Sequence, residues 1–282
     1  MIINIKNYLE SFGEVSSLSR KRLLDEMDSV WDGLGLDNSV AINKQLDKVA
    51  VYYSHPVWIL NGLFSECDPE SRSHRVAIAT FIKKLGVKRV ADYGGGSGVL
   101  ARLVTEAATI VHVNIVEPYA NDFFVVRLSE LPRITFVPRL GPDYDVVIAQ
   151  DILEHVDNPL ELAVELIQAT HMNGYLIFAN CFYPDIKCHL PATFYLRHTF
   201  IFLMRCAGLK FIGGIVDAKH ALVFQRVEVL NRPVFDFASK QAKLIGPLLN
   251  WAMVLMRRSK SLCKKVTQRF GENSAAAASP HV

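Results

Sequence analysis

Val90-Ala91-Asp92-Tyr93-Gly94-Gly95-Gly96-Ser97-Gly98-Val99-Leu100-Ala101 is the stretch that decides the fold. Its first residues read as the end of a buried strand, its glycines as a tight loop and Val99 onward as a helix. In an open parallel sheet, ligands bind beyond the carboxyl ends of the strands, and glycine there lets the backbone approach a ligand closely. A glycine loop also serves ordinary turns and helix caps, so its surroundings must decide what this one does.

Outward from the loop, short apolar runs alternate with helical stretches: Ile110-Val-His-Val-Asn-Ile-Val116, Ile134-Thr-Phe-Val137, Val146-Val-Ile-Ala149 and Tyr175-Leu-Ile-Phe-Ala179. Strands buried on both faces read this way, and interleaved helices imply parallel pairing. The expected class is α/β, a doubly wound, mostly parallel, seven-stranded sheet. Before it, residues 1–75 carry apolar residues at three and four residue spacing and form a helical cap. Residues 76–230 hold the sheet, closing with a helix over 193–207 and an edge hairpin turning at Asp217. Residues 231–282 are a basic extension whose end, from Ser274, has little to bury and is expected to be mobile.

Composition narrows the function classes. Half of the 282 residues are hydrophobic and 21% are charged, which excludes a disordered chain. A net charge of +3 is far from the concentrated basicity of a nucleic-acid binder, so no nucleic acid is expected as partner. Five cysteines with no C-x-x-C pair argue against a disulfide framework and a structural zinc site. The amino terminus lacks the charged leader and apolar run of a signal peptide, and residues 244–256 are too short to span a bilayer. The expectation is a cytoplasmic protein.

Two carboxylates sharpen the loop. Asp92, two residues before the first loop glycine, would repel a pyrophosphate and attract an ammonium or sulfonium group. Glu117 closes the second strand about 20 residues on, where a carboxylate can accept both hydroxyls of a ribose. An adenosine with a cationic tail satisfies both.

The pattern of Asp92, Gly94, Gly96 and Gly98 with Glu117 closing the next strand resembles class I S-adenosylmethionine-dependent methyltransferases of the small-molecule type. Tyr144-Asp-Val-Val-Ile-Ala-Gln-Asp-Ile-Leu-Glu-His-Val156 is similar to their fourth strand and following turn, and Asn173-Gly174-Tyr-Leu-Ile-Phe178 to their turn into the fifth. The resemblance spans about residues 77–224 and implies S-adenosyl-L-methionine as cofactor. By the same resemblance Asp92 and the three glycines line its methionine part, Glu117 with Pro118 holds the ribose, and Gln150 and Asp151 lie beside it. The acidic residue these enzymes often carry after the third strand has no counterpart in Val137-Pro-Arg-Leu-Gly141.

Methyl transfer is an in-line displacement, so alignment and proton removal are what the protein must supply. His155, beyond the fourth strand, is the first candidate base, since histidine titrates near neutral pH. The loop after the fifth strand adds Tyr183 and His189 as catalytic candidates, with Asn180, Arg197 and His198 facing the acceptor. In the cap, the aromatic stretch 51–60 resembles segments that close over cofactor and acceptor, making Tyr52 and His55 substrate-binding candidates. No short-spaced histidine pair is present, and no metal is expected.

The function expected is methyl transfer to an oxygen or carbon of a small molecule, with glycans and lipid-linked biosynthetic intermediates among the acceptors. An alternative is an NAD(P)-dependent oxidoreductase, because Gly96-Ser-Gly98-Val-Leu-Ala101 satisfies a relaxed dinucleotide fingerprint. Another is a catalytically silent protein that keeps the fold as a scaffold. In residues 244–270, an apolar patch flanked by cations has the composition of a helix that lies on a membrane surface.

Overall fold

The computed structural model describes residues 4–276, with side chains for 4–256. Ahead of the sheet run α1 (Ile5–Glu10), α2 (Arg20–Gly33), α3 (Leu46–Tyr53), α4 (Pro56–Cys67) and α5 (Pro69–Leu85), the last of which buries Ile78, Ala79 and Ile82 in the same core as Val90 and Ile177 of the sheet. The sheet follows as β1 (Arg89–Tyr93), α6 (Val99–Ala107), β2 (His112–Val116), α7 (Asp122–Ser129), β3 (Ile134–Phe136), β4 (Tyr144–Gln150), α8 (Pro159–Ala169) and β5 (Thr170–Ala179). It ends with α9 (Phe200–Cys206), β6 (Leu209–Ile215), β7 (Ala218–Arg226) and α10 (Arg232–Ala276).

Seven strands form one sheet in the order β3-β2-β1-β4-β5-β7-β6. The first five are parallel, and β7 runs antiparallel between β5 and β6. The chain therefore winds outward from β1 to one side, then restarts at β4 on the other. The switch point between β1 and β4 leaves a crevice at their carboxyl ends, directly after Tyr93 and Gln150.

Burial explains the near-continuous apolar strands. Val90 and Ala91 of β1, Val146 and Ile148 of β4 and Ile177 of β5 are at most 1% exposed, because helices cover both faces. Truncating one of them, such as Ile148, to Ala would cost about 2–5 kcal/mol in lost transfer and residual cavity.

Two helices that frame the crevice start on local signals. Asp68 accepts the Ser71 N–H at 2.7 Å and Pro69 opens α5, which ends on Gly86 at φ 66°. His55 Nδ1 accepts the Val57 N–H at 3.1 Å and Pro56 opens α4.

The structure corrects the sequence reading in two places. The helix expected over 193–207 is a 3₁₀ segment, Pro191–Arg197, followed by α9. Apolar repeats of 3.0 and 3.6 residues are too close for the pattern to separate them over so short a span. The edge hairpin is where it was expected, turning at Asp217, with β7 beside β5 and β6 outermost. The first turns of α10 bury Phe235, Ala238 and Ala242 in the same core as Phe178 and Phe224. The mobility expected from residue 274 onward concerns, for 277–282, positions outside the described residues.

Candidate functional site

A cavity of about 330 Å³ opens at the switch point, between the carboxyl ends of β1, β2 and β4 and the underside of α3, α4 and α5. Its floor is the glycine loop. Gly94 and Gly96 have φ of 71° and 52°, in the left-handed region that side chains rarely adopt. A Cβ on Gly95 would stand 2.8 Å from Asp92 Oδ2, so only glycine leaves room for that carboxylate beneath the loop.

Asp92, at the end of β1, is 2% exposed, and its Oδ2 has no hydrogen-bond partner. Burial raises its carboxyl from the ordinary range to about 7, the nearby Arg75 guanidinium opposes that rise, and Glu117 adds to it. A buried, unsatisfied anion is costly unless a cation or donor is supplied. Each oxygen of Glu117 accepts one backbone donor: Oε2 the Gly96 N–H at 2.9 Å and Oε1 the Tyr119 N–H at 3.1 Å. Burial raises its carboxyl as well, and those two donors counteract the rise.

The cap provides the roof. Tyr53 and Trp58 line the cavity, and Tyr53 stacks on Tyr119 with ring centres 5.0 Å apart and planes 16° off parallel. Arg75 of α5 reaches in beside Asp92, and burial lowers its guanidinium from the ordinary value. Sequence reasoning pointed to the stretch 51–60 but took Tyr52 and His55 from it instead of Tyr53 and Trp58, and it missed Tyr119 and Arg75. For Tyr53 a signal existed: Val49 and Tyr53 are four residues apart and share one helix face, and both line the cavity. Arg75 is one basic residue in a helix rich in them and carried no signal.

At the other end lie Gln150, Asp151 and His155. Asp151 sits at φ 54°, and its N–H donates to Ala179 O at 2.7 Å, so the ends of β4 and β5 hold it in a conformation unusual for a non-glycine residue. Burial, and then the neighbouring His189, push the His155 imidazole down to about 3. It is neutral at physiological pH and a weak proton acceptor.

Asp92, Gly94, Gly96, Glu117, Pro118, Gln150, Asp151 and His155 are thus gathered around one cavity. Other expected residues are not. Gly98 caps α6 at φ 69°, where a Cβ would overlap Leu128, so its role is packing. Tyr52 is fully buried against Trp31, in a cluster that also takes in Ile186 and Cys188 of the loop after β5, and does not line the cavity. His55 is spent on the α4 cap and stands edge-on to Tyr8. Asn180 Oδ1 accepts the Leu153 N–H at 3.2 Å, which holds the turn after β4. Tyr183 is 41% exposed with Arg197 over its ring at 4.9 Å, an outward pair, and His198 is exposed. His189 is buried behind His155, its ring centre 4.9 Å away.

A family model described as a methyltransferase domain matches residues 71–201. No curated protein matches the chain. Among solved structures, it is similar to an O-methyltransferase family protein from Burkholderia thailandensis, at 14% identity over 74% of this chain and 70% of that one, TM-score 0.49. It is similar too to the mitomycin 7-O-methyltransferase MmcR, at 15% identity over 74% and 68%, TM-score 0.49. A third is the N-methyltransferase NodS from Bradyrhizobium japonicum WM9 in complex with S-adenosyl-L-homocysteine, at 12% identity over 58% and 91%, TM-score 0.42. On a sheet whose strand order places the glycine loop at the switch point, residues 71–201, from α5 into α9, match the family of methyltransferase domains.

Proposed function

We propose that this chain transfers the methyl group of S-adenosylmethionine to an oxygen or carbon of a small-molecule acceptor, with glycans and lipid-linked intermediates as the acceptor classes to try first. The observation that carries the assignment of residues is the unpartnered Asp92 Oδ2 under the glycine loop. It calls for a cation where a dinucleotide would bring a pyrophosphate, which disfavours an NAD(P)-dependent reaction. When bound, the cofactor supplies a methyl carbon on a sulfonium.

The chain's own residues bind and orient. Asp92 holds the ammonium end, and Arg75 pairs with the carboxylate of the same amino-acid tail. Glu117, already fixed by Gly96 and Tyr119, has lone pairs left for the two ribose hydroxyls. Tyr53, Trp58 and Tyr119 exclude water above the transfer. His155 is too weakly basic to draw the rate from proton removal, so alignment carries most of the acceleration.

Among the described residues, no helix is long and apolar enough to cross a membrane. Phe237, Leu244, Leu248 and Trp251 on α10 are each about two-thirds exposed, and they support a proposed peripheral contact with a membrane surface. The rest of the stretch that suggested it, 257–270, lies outside the residues whose side chains are described. A cytoplasmic location is proposed on Cys67, Cys181, Cys188 and Cys206, all free thiols.

The test is calorimetric titration with S-adenosylmethionine and NADH, followed by assay of S-adenosylhomocysteine release with candidate acceptors. Saturation by the first alone, with turnover, is expected. Saturation by NADH alone overturns the reading, and cofactor binding without turnover across the acceptor classes favours a silent scaffold.

A further inference from the structure

Behind the cavity wall, the turn after β4 and the loop after β5 bring together three side chains that the methyl-transfer reading leaves without a task. Glu154 is fully buried. Its Oε1 accepts the Cys181 N–H at 2.6 Å, and its Oε2 has no partner. His155 Nδ1 lies 3.1 Å from Cys188 O, and His189 Nδ1 lies 2.9 Å from Tyr183 O. A carbonyl only accepts, so each Nδ1 carries the ring proton, and each Nε2 keeps an unshared pair. One donor atom from each of the three residues lies within 4.8 Å of the other two.

Two imidazoles whose Nδ1–H groups are tied to backbone carbonyls, beside a carboxylate tied by one oxygen to a backbone N–H, are oriented as metal ligands usually are by their outer partners. We propose that Glu154 Oε2, His155 Nε2 and His189 Nε2 bind one divalent transition-metal ion in the cavity wall, at the point where His155 lines it.

The chemistry of the donors selects the ion. Imidazole with a single carboxylate suits zinc, manganese, iron or cobalt and is a poor set for magnesium or calcium. Tetrahedral ligation at about 2.0–2.1 Å needs donors about 3.4 Å apart, so a rotamer adjustment of roughly 1 Å closes the site. Three protein ligands leave a coordination position open.

This inference rests on the proposed methyl transfer only for its consequence. Because His155 lines the cavity, the ion stands next to the space left for an acceptor and favours a hydroxyl oxygen over carbon. In that transfer, the acceptor hydroxyl gives its proton to water and its oxygen pair bonds to the methyl carbon. The carbon–sulfur pair leaves with sulfur, which becomes a neutral thioether.

The experiment uses the full chain, stripped with chelator and titrated in parallel with zinc, manganese and cobalt(II). Readouts are bound metal by elemental analysis, the visible absorption of the cobalt form, and S-adenosylhomocysteine binding. One ion per chain is expected. Glu154→Gln and His189→Gln should each weaken it by at least about 100-fold, since loss of an outer partner alone typically costs 10–100-fold. Glutamine at 154 keeps an oxygen for the Cys181 N–H, so that variant should stay folded and retain S-adenosylhomocysteine binding. The proposal is overturned if all three metals fail to saturate the chain while S-adenosylhomocysteine still binds. It is equally overturned if both variants bind metal as the parent does, which places the ion elsewhere. Metal binding without S-adenosylhomocysteine binding leaves this site standing and removes the methyltransferase reading instead.

Discussion

Glu117 latches the glycine loop: its Oε2 accepts the Gly96 N–H at 2.9 Å across 21 residues of sequence, while its Oε1 accepts the Tyr119 N–H at 3.1 Å. One carboxylate therefore fixes both the floor of the cavity and the backbone that presents Tyr119 to the roof. Glu117→Ala should weaken S-adenosylmethionine binding by about 10- to 100-fold, and orphaning two backbone donors should cost about 1–3 kcal/mol of stability. Glu117→Gln keeps one acceptor and should fall between the two. Calorimetry with denaturant melts on the same preparations checks both effects, and unchanged affinity in the Ala variant would remove the ribose assignment.

Asp92 makes stability and binding move in opposite directions with pH. Its folded pKa of about 7 lies above the usual carboxylate value, so the folded state holds a proton that the unfolded chain releases. Stability from this group is present below about pH 4, falls as pH rises toward 7 and stays lost above that. Asp92→Asn should therefore raise the melting temperature at about pH 8. A cationic ligand needs the ionised form, so affinity for S-adenosylmethionine should rise between about pH 6 and pH 8 in the parent and stay flat and weak in the variant. A parent profile without pH dependence argues against the ion pair.

Neighbouring tyrosines of α3 should separate packing from function. Tyr52 is fully buried in the cap, and Tyr52→Ala should cost about 3–5 kcal/mol, as removal of a buried ring does. Tyr53 sits on the cavity and stacks on Tyr119. Tyr53→Ala should lower kcat/KM while costing less stability than its neighbour. Comparable melts with the kinetic loss in Tyr52→Ala instead would reverse the assignment.

Leu248 and Trp251 on α10 are 66% and 65% exposed, while Gly246 packs closely on the Tyr195 backbone and Asn250 Nδ2 donates to Phe194 O at 2.9 Å. One side of the helix is thus anchored and the other free for a surface. Leu248→Glu with Trp251→Glu should abolish flotation with anionic vesicles, leaving the melting curve within about 0.5 kcal/mol of the parent. Equal recovery of both proteins would remove the membrane contact.

By itself, the sequence determined the sheet and the floor of its cavity. Strand, glycine loop and helix are consecutive, and Asp92, Gly94, Gly96 and Glu117 lie at strand ends whose positions follow from apolar runs alone. Local periodicity and backbone sterics suffice for such features. What stood over the floor was decided in three dimensions. The tertiary packing of α3, α4 and α5 chose Tyr53 over Tyr52 and brought in Arg75, because which face of a helix meets the sheet depends on contacts far away in sequence. The same reason turned Tyr183 and Arg197 outward and placed His189 behind His155, 34 positions earlier in the chain. Loops converge by packing, and spacing along the chain does not encode that convergence.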